Sequence, residues 1–238
     1  MQVTVLTYNV GNGMADPRRL AALLRPGAVD VVGLQELAHA QADVLAKLVA
    51  VYPYQVLMPD GFTGKGLLSR YPIRDHERLL LYPGRPDLQA TLEVDGAGLN
   101  VWVVHPPPPR FAGARFAFHP TAVSQITALA ALALEHPPGV LLGDFNMTPR
   151  HSLYSSLRSA GLVDAFALAG VGRGFTLPRR LGKAARLQHG LHHLPLRPVA
   201  RVDYIWCTPG VQPEAAWVGD DAGSDHLPVV ARLALPRT

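Results

Sequence analysis

Several apolar segments of strand length in this sequence adjoin polar side chains of two chemical types, oxygen donors and imidazoles. The segments are VLTYN, ending at Asn9; VVGLQE, ending at Glu36; VWVVH, ending at His105; VLLGDFN, ending at Asp144 and Asn146; and GSDHLPVV, with Asp225 and His226. A further strand candidate, RVDYIWC, has Asp203 near its start. Carboxylates and amides are costly to bury without partners, and loops at strand ends hold side chains in a fixed geometry. We therefore expect these residues to converge at one edge of the sheets.

The order of the predicted elements constrains the fold class. Strands outnumber helices, and DGAG between the strand candidates Gln89–Val94 and Leu99–His105 is a hairpin signal. Helical spacing occurs in Pro17–Leu24, Ala38–Val49, Thr121–Leu134 and Ser152–Ser159. This pattern favours an α+β fold in which two sheets pack together with helices outside. For a chain of 238 residues we expect a single domain over residues 1–238.

Composition and the N-terminal segment bear on the cellular compartment. Apolar residues make up 48% of the chain and charged residues 17%, which is typical of a globular protein. No apolar run approaches the ~20 residues of a membrane span, and MQVTVLTYNV has no basic leader, so we expect no signal peptide. The single cysteine, Cys207, fits a reducing compartment. We expect a cytoplasmic monomer without an obligate protein partner.

The polar residues at the strand ends predict a metal site. The hard oxygen ligands are Asn9, Glu36, Asp144, Asn146 and Asp225. Such ligands suit Mg²⁺, which usually takes one or two carboxylates together with water and substrate phosphate. His105 and His226 add imidazoles that exchange protons near neutral pH. The combination predicts metal-assisted attack of water on a phosphoester. Asn9 has an alternative role as the cap of the turn NVGNG, and Asn12 competes with it as a ligand.

These residues also carry a resemblance to a known family. The motifs LTYNVGNG, VVGLQE, GLLSRYPI, GDFNMTP, RVDYIW and SDHLPVV resemble, in the same order, those of the endonuclease/exonuclease/phosphatase superfamily. They extend from Thr7 to Val230 and so cover almost the whole chain. The resemblance implies a four-layer α/β/β/α sandwich of two packed mixed β-sheets flanked by helices, with the site at one edge. It also implies a hydrolase that depends on one or two Mg²⁺ or Mn²⁺ ions.

The resemblance further assigns roles by position. Glu36, with Asn9 close by, is similar to the principal metal site, and Asp225 to a residue that supports the metal or a second ion. Asp144 and Asn146 resemble the pair that orients the attacking water and contacts the phosphate. His226 is similar to the catalytic imidazole, oriented by Asp203. His105 stands where many members carry a histidine that donates to a phosphate oxygen or to the leaving group.

Clustered positive charge suggests a polyanionic substrate. From Ala165 to Val202 the chain contains no Asp or Glu but has Arg173, Arg179, Arg180, Lys183, Arg186, Arg197 and Arg201. Such a field favours phosphates, and a solvated loop is the alternative. The segment RFAGARFAFH interleaves arginine with phenylalanine, which is typical of base stacking beside phosphates but also suits a lip for lipid. Arg110, Arg115, Arg179 and Arg180 are therefore the candidate substrate-binding residues, and Lys65 is a further candidate for a phosphate contact.

Three functions remain in competition at the level of the sequence. The first is a metal-dependent phosphodiesterase that acts on DNA or RNA with little sequence preference. The second is a hydrolase of phospholipid headgroups or small phosphoesters on the same scaffold, because the fold alone does not choose the substrate. The third is a binding module that has lost catalysis; the presence of Glu36, Asp144 and His226 argues against it.

Overall fold

Two six-stranded β-sheets lie face to face at the centre of the protein. The computed structural model describes residues 1–112, 115–180 and 195–236. In spatial order, the first sheet contains β13 (Gln212–Val218), β14 (Val229–Ala234), β1 (Gln2–Asn9), β2 (Val31–Gln35), β4 (Lys65–Ser69) and β3 (Tyr54–Met58). The second contains β11 (Val163–Asp164), β12 (Asp203–Cys207), β10 (Gly139–Asp144), β7 (Ala97–Val104), β6 (Asp87–Val94) and β5 (Ile73–Leu79). A small hairpin of β8 (Arg110–Ala112) and β9 (Arg115–Ala117) follows the prolines.

Both sheets are mixed, and helices cover their outer faces. Strand β1 runs parallel to β2 and antiparallel to β14, while β10 runs parallel to β7 and antiparallel to β12. Helices α1 (Pro17–Leu24) and α2 (His39–Leu45) pack on the first sheet, and α3 (Pro120–Glu135) and α4 (Ser152–Ser159) on the second. The short helix α5 (Ala165–Ala169) packs near β12 and β13. The predicted α+β fold with four layers is confirmed.

The alternation of side chains along the strands divides the apolar residues into separate cores. In β1, Val3 and Val5 lie in the core between the two sheets. Leu6 and Tyr8 belong instead to the core beneath α1 and α2. This follows from the period of two in a strand, which sends successive side chains to opposite faces. No helix in the described part of the chain has the length and apolar character needed to span a membrane.

Several elements differ from the sequence-based expectation: β5, β8, β9, β11 and α5 were not predicted, and α2 is shorter than expected. Strand β5 was not predicted, because most of its residues are polar and exposed, as is common at the edge of a sheet. Helix α2 ends at Leu45 and not at Val49. After Leu45 the backbone forms hydrogen bonds between residues three apart, such as Leu48 N–H to the Leu45 carbonyl at 2.9 Å, so the chain continues as tight turns.

Gly143 allows β10 and β7 to approach closely just before Asp144. A β-carbon at Gly143 would clash with the carbonyl oxygen of Val104 and lie 2.6 Å from its Cγ2. Gly143→Ala should therefore lower the free energy of unfolding by at least about 1–3 kcal/mol, as expected for overpacking. At Gly98 in β7 the nearest atom would be 3.9 Å away, so Gly98→Ala is a matched control that should lose no stability. Urea denaturation compares the two variants, and equal stabilities would contradict the expected clash.

Candidate active site

Four of the predicted site residues continue rows of side chains that form the core between the sheets. The rows are Val5, Thr7 and Asn9 along β1; Val103 and His105 along β7; Val140, Leu142 and Asp144 along β10; and Cys207, Ile205 and Asp203 along β12. In each row the last residue is polar and lies at the same edge of the sandwich. The period of two that buries the apolar residues therefore also points these polar side chains inward. The expected convergence at one edge is observed.

Asn9 links two carboxylates from different parts of the chain. Its Nδ2 donates to Asp144 Oδ2 at 3.0 Å and lies 3.3 Å from Glu36 Oε1. Its Oδ1 accepts from the Gly11 backbone N–H at 3.0 Å, so Asn9 also caps the turn that follows β1. The amide thus connects the two sheets and the turn in a single hydrogen-bonded unit.

Glu36 reaches the site through an unusual backbone conformation. Gln35 points into the space between the two sheets, so in a regular strand the next residue, Glu36, would point to the opposite face. The φ of +55° at Glu36 turns the chain and brings its side chain to the site instead. This left-handed region is uncommon for residues other than glycine, and such strain is often found at functional sites. Burial raises the pKa of the Glu36 carboxyl, Asn9 lowers it, and the nearby charge of Asp225 raises it further.

His226 lies between two buried carboxylates. Its Nδ1 is 2.9 Å from Asp203 Oδ2, and its Nε2 is 3.7 Å from Asp144 Oδ2. Burial alone lowers the pKa of His226, but Asp203 and Asp144 overcome this effect and raise it to about 10. Burial raises the pKa of Asp144 to about 7, against the lowering influence of His226. The pair therefore provides a charged imidazole beside a carboxyl that titrates near neutral pH.

His105 faces the same carboxylates as a neutral imidazole. Its Nε2 lies 3.5 Å from Asp144 Oδ2 and 3.8 Å from Glu36 Oε1. Burial keeps its pKa well below the ordinary value, and the positive charges of Lys65 and Arg85 act in the same direction. Its backbone N–H donates to Asp87 Oδ1 at 3.1 Å, which fixes the backbone just beyond β7.

Asn146 and Asp225 also lie at this edge of the sheets. The backbone N–H of Asn146 donates to Asp144 Oδ1 at 2.9 Å, and its Nδ2 donates to the Pro106 carbonyl at 3.0 Å. Its φ of +54° places it in the left-handed region. Asp225 Oδ1 lies 3.3 Å from Ser224 Oγ. The predicted catalytic and metal-binding side chains therefore form one cluster.

The structure adds two supporting residues that the sequence analysis did not identify. Ser224 Oγ donates to the Asn9 carbonyl at 2.7 Å and accepts from the His226 backbone N–H at 3.2 Å, so it joins two segments of the site. Asp87 is fully buried and holds the His105 backbone while accepting from Gln125 Nε2 at 2.7 Å. A carboxylate at the first position of the strand DLQATLEV was the available signal for Asp87. Ser224 lay within the quoted motif GSDHLPVV, but nothing there indicated its partners.

The donor set at Glu36 fits a hard divalent cation. Glu36 and Asp225 present carboxylate oxygens, and besides burial the charge of Asp225 raises the pKa of the Glu36 carboxyl, which indicates negative charge that a cation would balance. The predicted ligand Asn9 turns its Nδ2 toward Glu36, while its Oδ1 accepts from the Gly11 N–H. A second possible set is Asp144, Asp203 and His226, whose ligand atoms lie within 4.8 Å of one another. Because His226 Nδ1 is already bonded to Asp203, that set suits proton transfer better than metal binding.

The arginines predicted to bind substrate differ in their environments. Arg179 Nε and Arg180 Nη1 lie 2.9 and 2.6 Å from Asp221 Oδ2, so both are ion-paired with a carboxylate distant in sequence. Arg110 is exposed. The side chain of Arg115 lies outside the described part of the structure, as do residues 181–194 of the basic stretch.

Two further basic residues of the prediction are buried. Lys65 is only 1% exposed, and its Nζ donates to the Thr63 carbonyl at 3.0 Å; its charge acts on His105 and Glu36 from inside the protein. Arg201 pairs with the buried Asp164 at 2.6 Å and stacks over the Tyr204 ring at 4.8 Å. Together with Arg179 and Arg180, these contacts make the basic stretch less available to a polyanion than its composition indicates.

Comparisons with known proteins agree with the fold. The model of the Endonuclease/Exonuclease/phosphatase family matches residues 6–226. The comparison with curated proteins gives no match. Among solved structures, the endonuclease/exonuclease/phosphatase from Bacteroides vulgatus aligns with a TM-score of 0.76 and 19% identity, covering 99% of each chain.

Two other solved structures, of proteins with different names, have the same fold. D. rerio TDP2 complexed with single strand DNA product aligns with a TM-score of 0.68 and 19% identity, covering 98% of this chain and 99% of that one. The mannosyl-6-phosphatase Bt3783 of Bacteroides thetaiotaomicron aligns with a TM-score of 0.70 and 17% identity, covering 98% and 100%. At such identities the similarity shows the fold alone.

Proposed function

Because the chain belongs to the endonuclease/exonuclease/phosphatase family, whose members hydrolyse phosphoesters, we propose that it is a divalent-metal-dependent phosphodiesterase. The observation that carries the proposal is the position of His226, held by Asp203 and facing Asp144, at the same edge as the Glu36 and Asn9 pair. This arrangement offers a proton donor, a proton acceptor and a cation site around one point.

Each residue has a role that follows from its environment. Asp203 fixes the His226 ring through Nδ1, so Nε2 presents its proton to a phosphate oxygen. Asp144, with a pKa of about 7, accepts a proton from the attacking water. The neutral His105 supports the phosphate from the other side through Nε2.

The Glu36 side of the site would hold Mg²⁺ or Mn²⁺ through Glu36 and Asp225. When bound, such an ion neutralises negative charge that develops on the phosphate. Asn9 positions Glu36 against Asp144, and the Asn146 backbone N–H holds the other oxygen of Asp144. These contacts keep the reacting groups in a fixed arrangement, which is itself a source of rate enhancement.

Nucleic acid is the substrate class that we propose to test first. The structural similarity to TDP2 with a single strand DNA product supports it, and so do the exposed side chains of Arg110, Arg173 and Arg197. The ion pairs of Arg179 and Arg180 with Asp221 weaken the argument from the basic stretch. A phospholipid headgroup is the second candidate, favoured by exposed apolar side chains such as Val171 and Trp217.

A hydrolysis panel tests the proposal. It compares single-stranded DNA, plasmid DNA, abasic duplex, RNA, sphingomyelin and a chromogenic bis-phosphodiester, each with Mg²⁺, with Mn²⁺ and with EDTA. We expect cleavage of single-stranded DNA that EDTA abolishes and added Mg²⁺ or Mn²⁺ restores. Cleavage that persists in EDTA would overturn the metal-dependent mechanism, and cleavage confined to the lipid would overturn the assignment of nucleic acid.

A further inference from the structure

An exposed apolar groove lies at the outer edge of the first sheet. It has a volume of about 380 Å³, and its apolar lining consists of Val171, Phe175, Pro198, Trp217, Val218 and Leu227. We call it the edge groove. Its residues come from four separate segments of the chain, so no continuous apolar stretch marks it in the sequence.

The edge groove opens beside the candidate active site. Val218 at the end of β13 pairs with Val229 of β14, which in turn pairs with Thr7 of β1, two residues before Asn9. Leu227 directly follows His226, and its backbone N–H donates to the Thr176 carbonyl at 3.0 Å. A partner seated in the groove would therefore contact Leu227, the neighbour in sequence of the site residue His226.

Highly exposed apolar side chains project from the groove and its rim. Val171 is 77% exposed and Trp217 39%, and Val199, which follows Pro198, is 69% exposed. By contrast, the other two tryptophans of the chain, Trp102 and Trp206, are fully buried. Clustered exposed apolar side chains of this kind commonly mark a binding surface for protein or membrane.

The charges around the groove are mainly positive. Arg173 contributes to its lining, and Arg197 is exposed immediately before Pro198. Glu214, on the outer face of β13, is compensated by Arg232 at 3.4 Å. Asp220, exposed after β13, offsets part of the positive charge.

We propose that the edge groove docks on an anionic lipid bilayer. Val171, Val199 and Trp217 enter the interfacial region, and Arg173 and Arg197 contact the headgroup phosphates. Tryptophan suits this depth because its ring is apolar while its N–H stays near water. Single-stranded nucleic acid fits less well, because it binds mainly by stacking on aromatic rings and the most exposed residues here are valines.

Trp217 provides a direct test, because it is the exposed tryptophan of the three. The protein is mixed with vesicles of phosphatidylglycerol in phosphatidylcholine, and binding is followed by co-sedimentation and by tryptophan emission. We expect emission to shift to shorter wavelength, acrylamide quenching to decrease, and lipids brominated in the acyl chain to quench the signal. Trp217→Phe should remove these changes, and vesicles of phosphatidylcholine alone should bind more weakly.

Substitutions then separate the apolar and the charged contributions. The double variant Val171→Ser/Val199→Ser should bind vesicles about tenfold more weakly than the wild type, given the apolar area removed. The matched control is Val49→Ser/Leu80→Ser, at exposed apolar residues outside the edge groove, and it should bind as the wild type does. Arg173→Gln and Arg197→Gln should each weaken binding about fivefold on anionic vesicles.

The result is independent of the proposed function, because binding requires no turnover. Glu36→Gln should bind vesicles normally, and Val171→Ser/Val199→Ser should still cleave any soluble substrate of the wild type. Three outcomes would overturn the proposal. The first is protection of Trp217 by single-stranded DNA but not by vesicles. The second is resistance to acrylamide of the Trp217 emission itself, obtained in the free protein as the difference between the wild type and Trp217→Phe, because the buried Trp102 and Trp206 resist the quencher in any case. The third is equal vesicle binding by the two double variants.

Discussion

Replacing His226 with alanine should lower the rate of phosphodiester hydrolysis by about 100- to 10,000-fold, the usual contribution of a positioned proton donor. The imidazole is the only group of the described site that Asp203 holds through one nitrogen while the other faces Asp144. Without it, no charged donor remains at that position. The measurement is steady-state hydrolysis of the substrate identified by the panel, with circular dichroism to confirm folding.

His76→Ala is the matched control, because His76 is exposed on β5 and lies outside the cluster. It should retain wild-type activity. A His226→Ala variant with near wild-type turnover would show that the imidazole does not take part in the reaction. An intermediate result is expected for Asp203→Asn, which keeps the size of the side chain but removes the charge that orients His226.

The contact between His226 and Asp203 makes a pH-dependent contribution to the free energy of unfolding. The pKa of His226 is raised from 6.5 to about 10, so the folded state holds the proton more tightly than the unfolded chain. The stabilisation is therefore complete below pH 6.5 and is lost as the pH rises toward 10. The difference in unfolding free energy between the wild type and Asp203→Asn should follow this course in urea denaturation. A difference that grows with pH would contradict the assigned protonation state.

Glu36→Gln should abolish metal-dependent activity and metal-dependent stabilisation together. The substitution preserves the side-chain volume and an oxygen near Asn9 but removes the negative charge. At a cation concentration about 100 times the dissociation constant, the wild type should gain about 2.7 kcal/mol of stability, whereas Glu36→Gln should gain little. Thermal unfolding with and without Mg²⁺ or Mn²⁺ measures this without reference to catalysis.

Without added cation, the wild type should lose its advantage in stability over Glu36→Gln. Burial raises the pKa of the Glu36 carboxyl, which means that its ionised form is disfavoured in the folded protein. Glu36→Gln should therefore be at least as stable as the wild type in EDTA at neutral pH. Glu93→Gln is the matched control, since Glu93 is an exposed partner of Arg74 and should not alter the response to metal. An equal response to metal in Glu36→Gln would place the cation elsewhere.

The strand period accounts for most of what the sequence predicted about the site. His105, Asp144 and Asp203 each lie two positions from a core residue of their row, and Asn9 lies four positions from Val5 beyond the buried Thr7, so burial of the core fixes their direction. Glu36 breaks this rule, since it reaches the site only through its φ of +55°. No alternation of polar and apolar residues could reveal that conformation; the motif QE supplied the expectation.

Contacts between distant segments account for what the sequence did not predict. The basic stretch lacks carboxylates of its own, but Asp221 and Asp164 neutralise Arg179, Arg180 and Arg201 from outside it. The edge groove was likewise missed because Val171, Pro198 and Trp217 are far apart along the chain. Charge and apolar character counted along a sequence do not show which of these groups remain accessible after folding.

The continuity between the core rows and the polar cluster ties activity to the integrity of both sheets. Asn9 and Asp144 come from different sheets, yet their contact is 3.0 Å long. Slippage of either strand by one position would exchange its inward and outward sets, removing a functional group and exposing an apolar row at once. Thermal inactivation and cooperative melting of this protein should therefore occur over the same temperature range, leaving no partly loosened form that still turns over substrate.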